Sequence, residues 1–199
     1  MSTKAELRRQ MLAARKQLLP AEVQRRSAAL AAQFFAAFPV AEWSWLHTFL
    51  PIPQQHEPDT WLIIRRVWQQ LPGLRVAVPV VQADGVSLQH YHLDEATELT
   101  PNRWGIPEPA GQALPPGTWQ PDAVLIPLLA FDEQGQRVGY GKGFYDRFLA
   151  QHPQALRIGL SLEPPVPRIA DVWPGDVPLH ACVTPGRVWR FGLPAAGGQ

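Results

Sequence analysis

Apolar positions recur along the chain with two periods, and these periods predict how helices and strands follow one another. Near the N-terminus they recur every three or four residues, which is typical of amphipathic helices. Further on, shorter apolar or alternating runs are typical of strands. The predicted helices are residues 3–18, residues 20–38 with Pro20 at a first helical position, and a helix capped by Asp59 or Thr60 that carries Trp61, Ile64, Val67 and Trp68. The predicted strands are residues 45–50, 74–80, 86–93, 156–162, 181–184 and, at a sheet edge, 187–191.

The longest apolar run lies near the middle of the chain, from Ala123 to Phe131, and only Pro127 interrupts it. A run of this length between turn residues fits a strand that is buried on both faces, although the pattern alone leaves a helix open. Residues 132–135 end the run and predict a turn. The glycine-rich segment Gly139–Gly143 follows, and residues 144–149 have helical spacing.

Strands that alternate with helices indicate an α/β protein, here a three-layer α/β/α sandwich with a mostly parallel sheet. In such sheets ligands bind beyond the carboxyl ends of the strands, where the glycine-rich segment is expected to lie. Residues 94–121 are polar and rich in proline, so we expect a functional segment that crosses the surface. We expect a single domain over residues 1–193 and a flexible tail over residues 194–199.

The glycine-rich segment has the features of an anion-binding site. Glycines at alternate positions of Gly139–Gly143 let backbone N–H groups approach a bound group closely, and the following helix adds unpaired N–H groups. Arg137 and Lys142 add positive charge, and Asp132 and Asp146 are candidates to hold Mg²⁺. Lys142 is followed by glycine rather than Ser or Thr, so the segment is not a Walker A loop. A glycine-rich hairpin with solvated charges is the structural alternative.

The charge of the whole chain is close to neutral, with 18 Lys and Arg against 17 Asp and Glu among 199 residues. This balance gives no general electrostatic reason to bind nucleic acid or membranes. The first predicted helix is basic, however, with Lys4, Arg8 and Arg15 expected near one another on one face. A solvated face and a nucleic-acid-binding patch are both compatible with that pattern.

The single cysteine, Cys182, cannot form an internal disulfide and lies in a predicted buried strand. We therefore interpret it as a core residue in a protein of a reducing compartment.

No apolar stretch reaches transmembrane length, and the N-terminus lacks a signal-peptide core. We expect a cytoplasmic protein that acts as a monomer.

Residues 131–147, FDEQGQRVGYGKGFYDR, closely resemble the signature of the 5-formyltetrahydrofolate cyclo-ligases, also called 5,10-methenyltetrahydrofolate synthetases. Further matches to this family follow one another in order and cover most of the chain. They are Lys4 with Arg8, the acid and helix start at residues 57–60, the segment 102–109, and the segment 173–179.

The resemblance implies a NagB/RpiA/CoA-transferase-like fold and specific roles for individual residues. It assigns catalysis to Arg137, Lys142 and Tyr145, and Mg²⁺ ligation to Asp146 and Asp176. The implied ATP-binding residues are Lys4, Arg8, Arg137, Gly139, Tyr140, Gly141, Lys142, Gly143, Phe144 and Tyr145. The implied folate-binding residues are Leu50, Glu57, Trp104, Tyr140, Gly141, Lys142, Gly143 and Phe144.

The activity that the resemblance implies is the conversion of 5-formyltetrahydrofolate to 5,10-methenyltetrahydrofolate, with ATP and Mg²⁺ as cofactors. ADP and phosphate are released, and a phosphorylated formyl group is the intermediate. Two alternatives remain open, namely a sugar-phosphate isomerase of similar fold and a non-enzymatic nucleic-acid binder. ATP consumption distinguishes the cyclo-ligase from the isomerase, and steeply salt-dependent binding would mark the nucleic-acid binder.

Overall fold

The computed structural model describes residues 1–85, 87–102 and 105–192, and it confirms a mixed α/β fold. The predicted tail therefore lies outside the described residues. The helices are α1 (Lys4–Lys16), α2 (Pro20–Ala37), α3 (Trp61–Gln70) and α4 (Phe144–Gln151), with short 3-10 turns at Val40–Glu42 and Pro53–Gln55. The strands are β1 (Trp45–His47), β2 (Arg75–Val81), β3 (Leu88–Leu93), β4 (Leu99–Pro101), β5 (Pro107–Pro109), β6 (Ala123–Pro127), β7 (Ala130–Phe131), β8 (Arg137–Val138), β9 (Leu156–Leu160), β10 (Ala181–Val183) and β11 (Val188–Arg190).

Seven strands form the central sheet, in the order β11-β10-β9-β6-β1-β2-β3. The five inner strands are parallel to one another, and β3 and β11 close the two edges in antiparallel orientation. Leu46 of β1 is in register with Val76 on one side and Ala123 on the other. The predicted mostly parallel sheet is confirmed. Over the residues described here, no helix has the length and apolar character needed to cross a membrane.

The sheet is covered on both faces, and β6 shows why its sequence is apolar without interruption. Ala123 and Leu125 point into the core that α2 and α3 cover, whereas Val124 and Ile126 point into the opposite core with α4. Successive side chains of a strand point to opposite faces, so a strand between two cores needs apolar residues at every position. Cys182 of β10 is fully buried on the α4 side, as predicted, and burial raises the pKa of its thiol.

Local sequence signals explain where the helices begin. Thr3 and Glu6 form a capping box at the start of α1, with the Thr3 N–H donating to Glu6 Oε2 over 2.8 Å. Pro20 occupies a first-turn position of α2, where its missing N–H costs nothing. Thr60 is the N-cap residue of α3, but its side chain makes no capping hydrogen bond. Instead, the Asp59 carboxylate accepts the N–H of Trp61, the first residue of the helix, over 3.1 Å.

Two predicted elements differ from the structure. The run Ala123–Phe131 is not one strand, because β6 ends at Pro127 and Ala130–Phe131 pairs with Arg137–Val138 in a separate two-stranded sheet. Proline has no N–H to extend the ladder, and the residues beyond it stay buried without belonging to the main sheet. The surface segment 94–121 is also not wholly irregular, since β4 and β5 form an antiparallel ribbon within it.

The first helix packs on the small sheet of β7 and β8. Leu7 of α1 is buried with Ala130, Val138 and Ile169. This contact holds α1 beside the segment that links β8 to α4, so Lys4 and Arg8 of α1 lie next to the glycine-rich loop.

Candidate active site

The segment Gly139–Gly143 connects β8 to α4, and two of its glycines adopt backbone conformations that favour glycine. Gly141 has φ +87° and Gly143 has φ +66°. Gly143 is the N-cap residue of α4 and makes no side-chain cap, which leaves the first N–H groups of the helix unblocked by a capping side chain. The loop therefore presents backbone donors and the positive end of a helix dipole on one surface.

A cavity of about 130 Å³, here called the loop cavity, lies against this segment. All ten residues predicted to bind ATP line it, and so do both predicted metal carboxylates, although they come from widely separated parts of the chain. The lining residues are Lys4, Arg8, Pro127, Arg137, Gly139, Tyr140, Gly141, Lys142, Gly143, Phe144, Tyr145, Asp146 and Asp176.

The cations around the loop cavity are held in different ways. Lys4 forms a salt bridge with Asp176, and Arg8 donates from Nε to the Gly139 carbonyl over 2.8 Å. Arg137 donates to Asp146 over 2.6 Å; burial lowers the pKa of its guanidinium, and the two nearby aspartates oppose that shift. The exposed Lys142 ammonium has no hydrogen bond or salt bridge to any residue that the structure describes, so it remains available to an anion.

Asp146 and Asp176 each keep one carboxylate oxygen available for a cation. The hydrogen bonds to these two side chains use one oxygen each, Oδ1 of Asp146 and Oδ2 of Asp176. The second oxygen of each carboxylate accepts none from the described part of the chain. Within that part, no group of three His, Cys, Asp or Glu side chains could hold a metal ion. Mg²⁺ commonly takes one or two carboxylates together with phosphate oxygens and water, so two carboxylates beside an anion loop suit it.

Asp132, the other candidate for Mg²⁺, lies elsewhere and has a structural environment. It is fully buried and accepts the backbone N–H groups of Gln134, Gln136 and Ile169 over 2.9–3.0 Å. These bonds hold the turn between β7 and β8, in which Gly135 has φ +82°. The structure therefore contradicts a place for Asp132 in the metal site.

A second cavity of about 270 Å³, here called the apolar cavity, adjoins the loop cavity. Of the predicted folate-binding residues, Leu50, Glu57, Tyr140, Lys142 and Phe144 line it. Gly141 and Gly143 line the loop cavity only, and Trp104 lies outside the described residues. Among the residues that the structure describes, the lining consists of Phe49, Leu50, Ile52, Glu57, Pro79, Val81, Leu88, Asn102, Ile106, Pro107, Glu108, Pro127, Tyr140, Lys142, Phe144 and Tyr145.

Much of this lining could not be found by reasoning along the sequence. Phe49 follows β1, Val81 ends β2 and Pro127 ends β6, so the carboxyl ends of three neighbouring parallel strands converge on the cavity. This is the position expected for ligands in such sheets. Asn102 and Glu108 come from the β4–β5 ribbon. The family match at residues 102–109 includes both, but Trp104 is the residue of that segment predicted to bind the folate.

Glu57 is a buried carboxylate at the edge of the apolar cavity. It is 5% exposed, and its two oxygens accept hydrogen bonds from the Tyr140 hydroxyl over 2.6 Å and from the Ile52 N–H over 2.8 Å. Burial raises the pKa of Glu57, while these two bonds and the charge of Arg15 oppose the shift. Although 37% of Tyr140 is exposed, partial desolvation and the charge of Glu57 raise the pKa of its hydroxyl. Glu57 is thus a carboxylate in a mostly apolar setting that can accept further hydrogen bonds.

The two cavities meet at a shared wall formed by Pro127, Tyr140, Lys142, Phe144 and Tyr145. The Tyr145 hydroxyl is buried at this junction and has no hydrogen-bond partner among the described residues. Its pKa is raised, first by burial and then by the charge of Glu57. A buried hydroxyl without a partner is unusual in proteins, and it can donate to a group that reaches the junction.

Arg15 does not lie where the sequence predicted. It was expected to share a basic face with Lys4 and Arg8, but its side chain is 4% exposed and lines neither cavity. The Arg15 guanidinium lies 3.5 Å from the Tyr140 hydroxyl. Lys4 and Arg8 do lie together at the loop cavity.

The fold and the site together define a class of α/β protein, one with a glycine-rich cationic loop and paired carboxylates beside an apolar cavity. The family profile of the 5-formyltetrahydrofolate cyclo-ligases matches residues 1–170. The chain belongs to the 5-formyltetrahydrofolate cyclo-ligase family, and the predicted family and enzyme class are confirmed.

Individual relatives agree with the family profile. The chain is 34% identical to the 5-formyltetrahydrofolate cyclo-ligase of Escherichia coli K12 over 185 residues, which cover 89% of this chain and 97% of that one. It is 25% identical to a probable 5-formyltetrahydrofolate cyclo-ligase of Caenorhabditis elegans, over 94% and 95% of the two chains. The NMR structure of Aquifex aeolicus 5,10-methenyltetrahydrofolate synthetase superposes with a TM-score of 0.75 at 26% identity, covering 98% and 96%.

Proposed function

We propose that this protein converts 5-formyltetrahydrofolate to 5,10-methenyltetrahydrofolate, using ATP and Mg²⁺ and releasing ADP and phosphate. Family membership supports the overall reaction. The observation that carries the finer proposal is the contact between the two cavities. An anion-binding cavity and an apolar cavity with a buried carboxylate share the wall of Tyr140, Lys142, Phe144 and Tyr145. A phosphoryl group can pass directly between two ligands that are bound on either side of such a junction.

In this proposal the loop cavity binds the phosphates of ATP. Backbone N–H groups of Gly139–Gly143 and the start of α4 face the phosphate oxygens, and Lys4, Arg8 and Arg137 supply positive charge. Asp146 and Asp176 would hold Mg²⁺, which when bound neutralises charge on the phosphates and aligns them.

The apolar cavity binds the folate in this proposal. The pterin ring carries an amino group and ring N–H groups, which suit the Glu57 carboxylate as hydrogen-bond donors. Leu50 and Phe144 provide apolar surface for the ring system. Trp104 stays a prediction for this site.

The chemistry starts from a formamide, whose oxygen is a poor leaving group. Transfer of the γ-phosphoryl group to the formyl oxygen breaks the bond to ADP and gives a phosphorylated imino intermediate. N10 then attacks the formyl carbon and loses its proton, and the C–O bond breaks to release phosphate. The product contains the N5–C–N10 bridge. Each step asks the protein for positioning and charge neutralisation rather than for a nucleophile.

Three side chains at the junction have roles in the transfer. The Lys142 ammonium lines both cavities and neutralises charge on the group in transit. The Arg137 guanidinium acts from the loop cavity on the same oxygens. The unpartnered Tyr145 hydroxyl donates a hydrogen bond to an oxygen at the junction.

An absorbance assay for methenyltetrahydrofolate tests this function, with 5-formyltetrahydrofolate as substrate and Mg-ATP present or omitted. We expect product only with Mg-ATP, and one ADP for each product molecule. Folded protein that makes no product under these conditions would contradict the proposal. Phosphorylated sugars would then test the isomerase alternative, which consumes no ATP.

Two further points belong to the same proposal. The protein is proposed to act as a monomer, and sedimentation of the purified protein tests this. The single buried cysteine supports a cytoplasmic location.

A further inference from the structure

Arg15 is a buried cation for which family membership and the two cavities give no role. It lies in the last turn of α1 with 4% of its surface exposed. Among the described residues it forms no salt bridge, whereas Arg26 and Arg137 both do. Burying a charge without an ion-pair partner costs free energy, which the hydrogen bond to the buried Leu128 carbonyl offsets only in part. Stability alone therefore does not account for an arginine at this position.

The contacts of Arg15 converge on the Glu57–Tyr140 pair. Its guanidinium donates to the Leu128 carbonyl and lies 3.5 Å from the Tyr140 hydroxyl. That hydroxyl in turn donates to Glu57 over 2.6 Å. Arg15 thus contacts Tyr140 without lining either cavity.

The backbone of Arg15 also fixes the turn that carries Glu57. The Arg15 carbonyl lies 2.7 Å from Nδ1 of His56, and because a carbonyl has no hydrogen to give, His56 is the donor. His56 has φ +47°, a conformation that side chains other than glycine adopt rarely. The hydrogen bond from His56 to the Arg15 carbonyl stabilises this strained backbone and so fixes the position of the neighbouring Glu57.

The charge of Arg15 favours the ionised form of Glu57. Burial raises the pKa of Glu57, and the hydrogen bonds from Tyr140 and Ile52, followed by the positive charge of Arg15, oppose this shift. The other titratable groups that surround Glu57 or share its cavity are Tyr140 and Lys142 of the loop, Tyr145 of α4, Glu108 of β5 and the neighbouring His56. A neutral carboxylic acid at Glu57 would present a hydroxyl where the pterin N–H groups need an acceptor.

We propose that Arg15 is a positioning residue, which acts through Tyr140 and Glu57 to present a charged carboxylate to the folate in the apolar cavity. The inference rests on the proposed function, because that function brings the folate to Glu57. It also links the two cavities, since the helix that carries Lys4 and Arg8 at one end supports Glu57 at the other.

The first experiment tests the support of Glu57 without any folate. Arg15→Gln keeps a donor for the Leu128 carbonyl but removes the charge, and Arg15→Lys keeps the charge. The infrared absorption of the protonated Glu57 carboxyl, identified by its loss in Glu57→Gln, is followed against pH. We expect this absorption to appear at higher pH in Arg15→Gln than in the wild type, and Arg15→Lys to lie close to the wild type. Equal titration in all three proteins would overturn the proposal.

The second experiment measures steady-state kinetics against pH, with Arg9→Gln on the exposed side of α1 as the control. For Arg15→Gln we expect the KM for 5-formyltetrahydrofolate to rise about tenfold near neutral pH and to recover as the pH increases. The KM for ATP should stay close to that of the wild type. A loss of kcat and of both affinities that does not depend on pH would overturn the proposal in favour of a purely structural role.

The two experiments separate this inference from the proposed function. If the wild type makes no methenyltetrahydrofolate, the proposed function fails, yet the infrared titration still decides whether Arg15 controls Glu57. If Arg15→Gln does not fold, Arg15→Met serves as the uncharged variant in the same titration.

Discussion

Arg137 and Asp146 clamp the two ends of the glycine-rich loop. The Arg137 guanidinium, just before the loop, donates over 2.6 Å to Oδ1 of Asp146 in the first turn of α4. Both side chains also bind the backbone of Val177, the Arg137 guanidinium through the carbonyl and Asp146 through the N–H over 3.2 Å. The loop Gly139–Gly143 is therefore held by three segments of the chain, and its shape does not depend on its own sequence alone.

Asp146→Asn tests the proposed metal site while keeping this clamp. The amide oxygen still accepts from Arg137, but the negative charge that would bind Mg²⁺ is lost. We expect activity to require roughly tenfold more Mg²⁺, measured by titration of the metal at fixed ATP. Asp94→Asn, at an exposed carboxylate in a surface turn, is the control. A folded Asp146→Asn protein with the wild-type Mg²⁺ curve would remove Asp146 from the metal site.

Lys142→Ala should abolish most turnover without unfolding the protein. Its ammonium is exposed and has no partner in the described structure, so its removal leaves no buried group unpaired. We expect kcat to fall by about a hundredfold or more, the size of effect seen when one charge-stabilising donor is removed. The urea midpoint should not change. Lys16→Ala, at an exposed lysine of α1, should leave both quantities unaltered, and wild-type kcat in Lys142→Ala would exclude the lysine from the mechanism.

Gly141→Ala and Gly139→Ala form a matched pair within the loop. Gly141 has φ +87°, and a Cβ there would lie 3.2 Å from the Arg8 guanidinium carbon. Gly139 has no such backbone conformation, and a Cβ there would meet no atom within 4 Å. We expect Gly141→Ala to lower the urea midpoint, because alanine in a left-handed conformation costs about 1 kcal/mol, and to raise the KM for ATP. Gly139→Ala should unfold like the wild type. Equal midpoints for the two variants would contradict this account of the loop.

A cluster of three buried or partly buried histidines should make the fold sensitive to acid. His47 lies 3.1 Å from His90, ring nitrogen to ring nitrogen, and His152 packs beside them on Phe148. Burial lowers the pKa of all three imidazoles, that of His90 to about 4 from an ordinary value of 6.5. The unfolded chain then binds more protons than the native one, so this contribution to stability is complete above about pH 6.5 and is lost as the pH falls towards 4.

Urea unfolding at about pH 7.5 and about pH 5 measures this effect, and we expect lower stability at the acidic value. His152→Phe keeps a ring against Phe148 and removes one titrating group, so its stability should fall less steeply with acid. The same dependence on pH in His152→Phe and in the wild type would exclude His152 from the effect.

Local sequence determined much of this protein. The order of helices and strands follows from the period of the apolar residues. Side chains return to the same face every 3.6 residues in a helix and every 2 residues in a strand, so each segment's own sequence indicates its structure. The turn before Arg137 and the start of α4 follow from glycines whose conformations other residues rarely adopt. The family resemblance followed from contiguous motifs, and every residue that it assigned to ATP lines one cavity.

The tertiary structure alone decided which distant residues meet. Asp132 is buried and accepts backbone N–H groups of a turn, although its sequence neighbours suggested a metal ligand. Arg15 lies near the Tyr140 hydroxyl and does not share the basic face of Lys4 and Arg8. The apolar run broke at Pro127, so that its last residues joined a second sheet. These outcomes depend on which segments pack together in space. The spacing of residues along the chain does not reveal partners that are distant in sequence, such as Tyr140 for Arg15 or Ile169 for Asp132. These partners are selected by burial and by the need to satisfy buried polar groups.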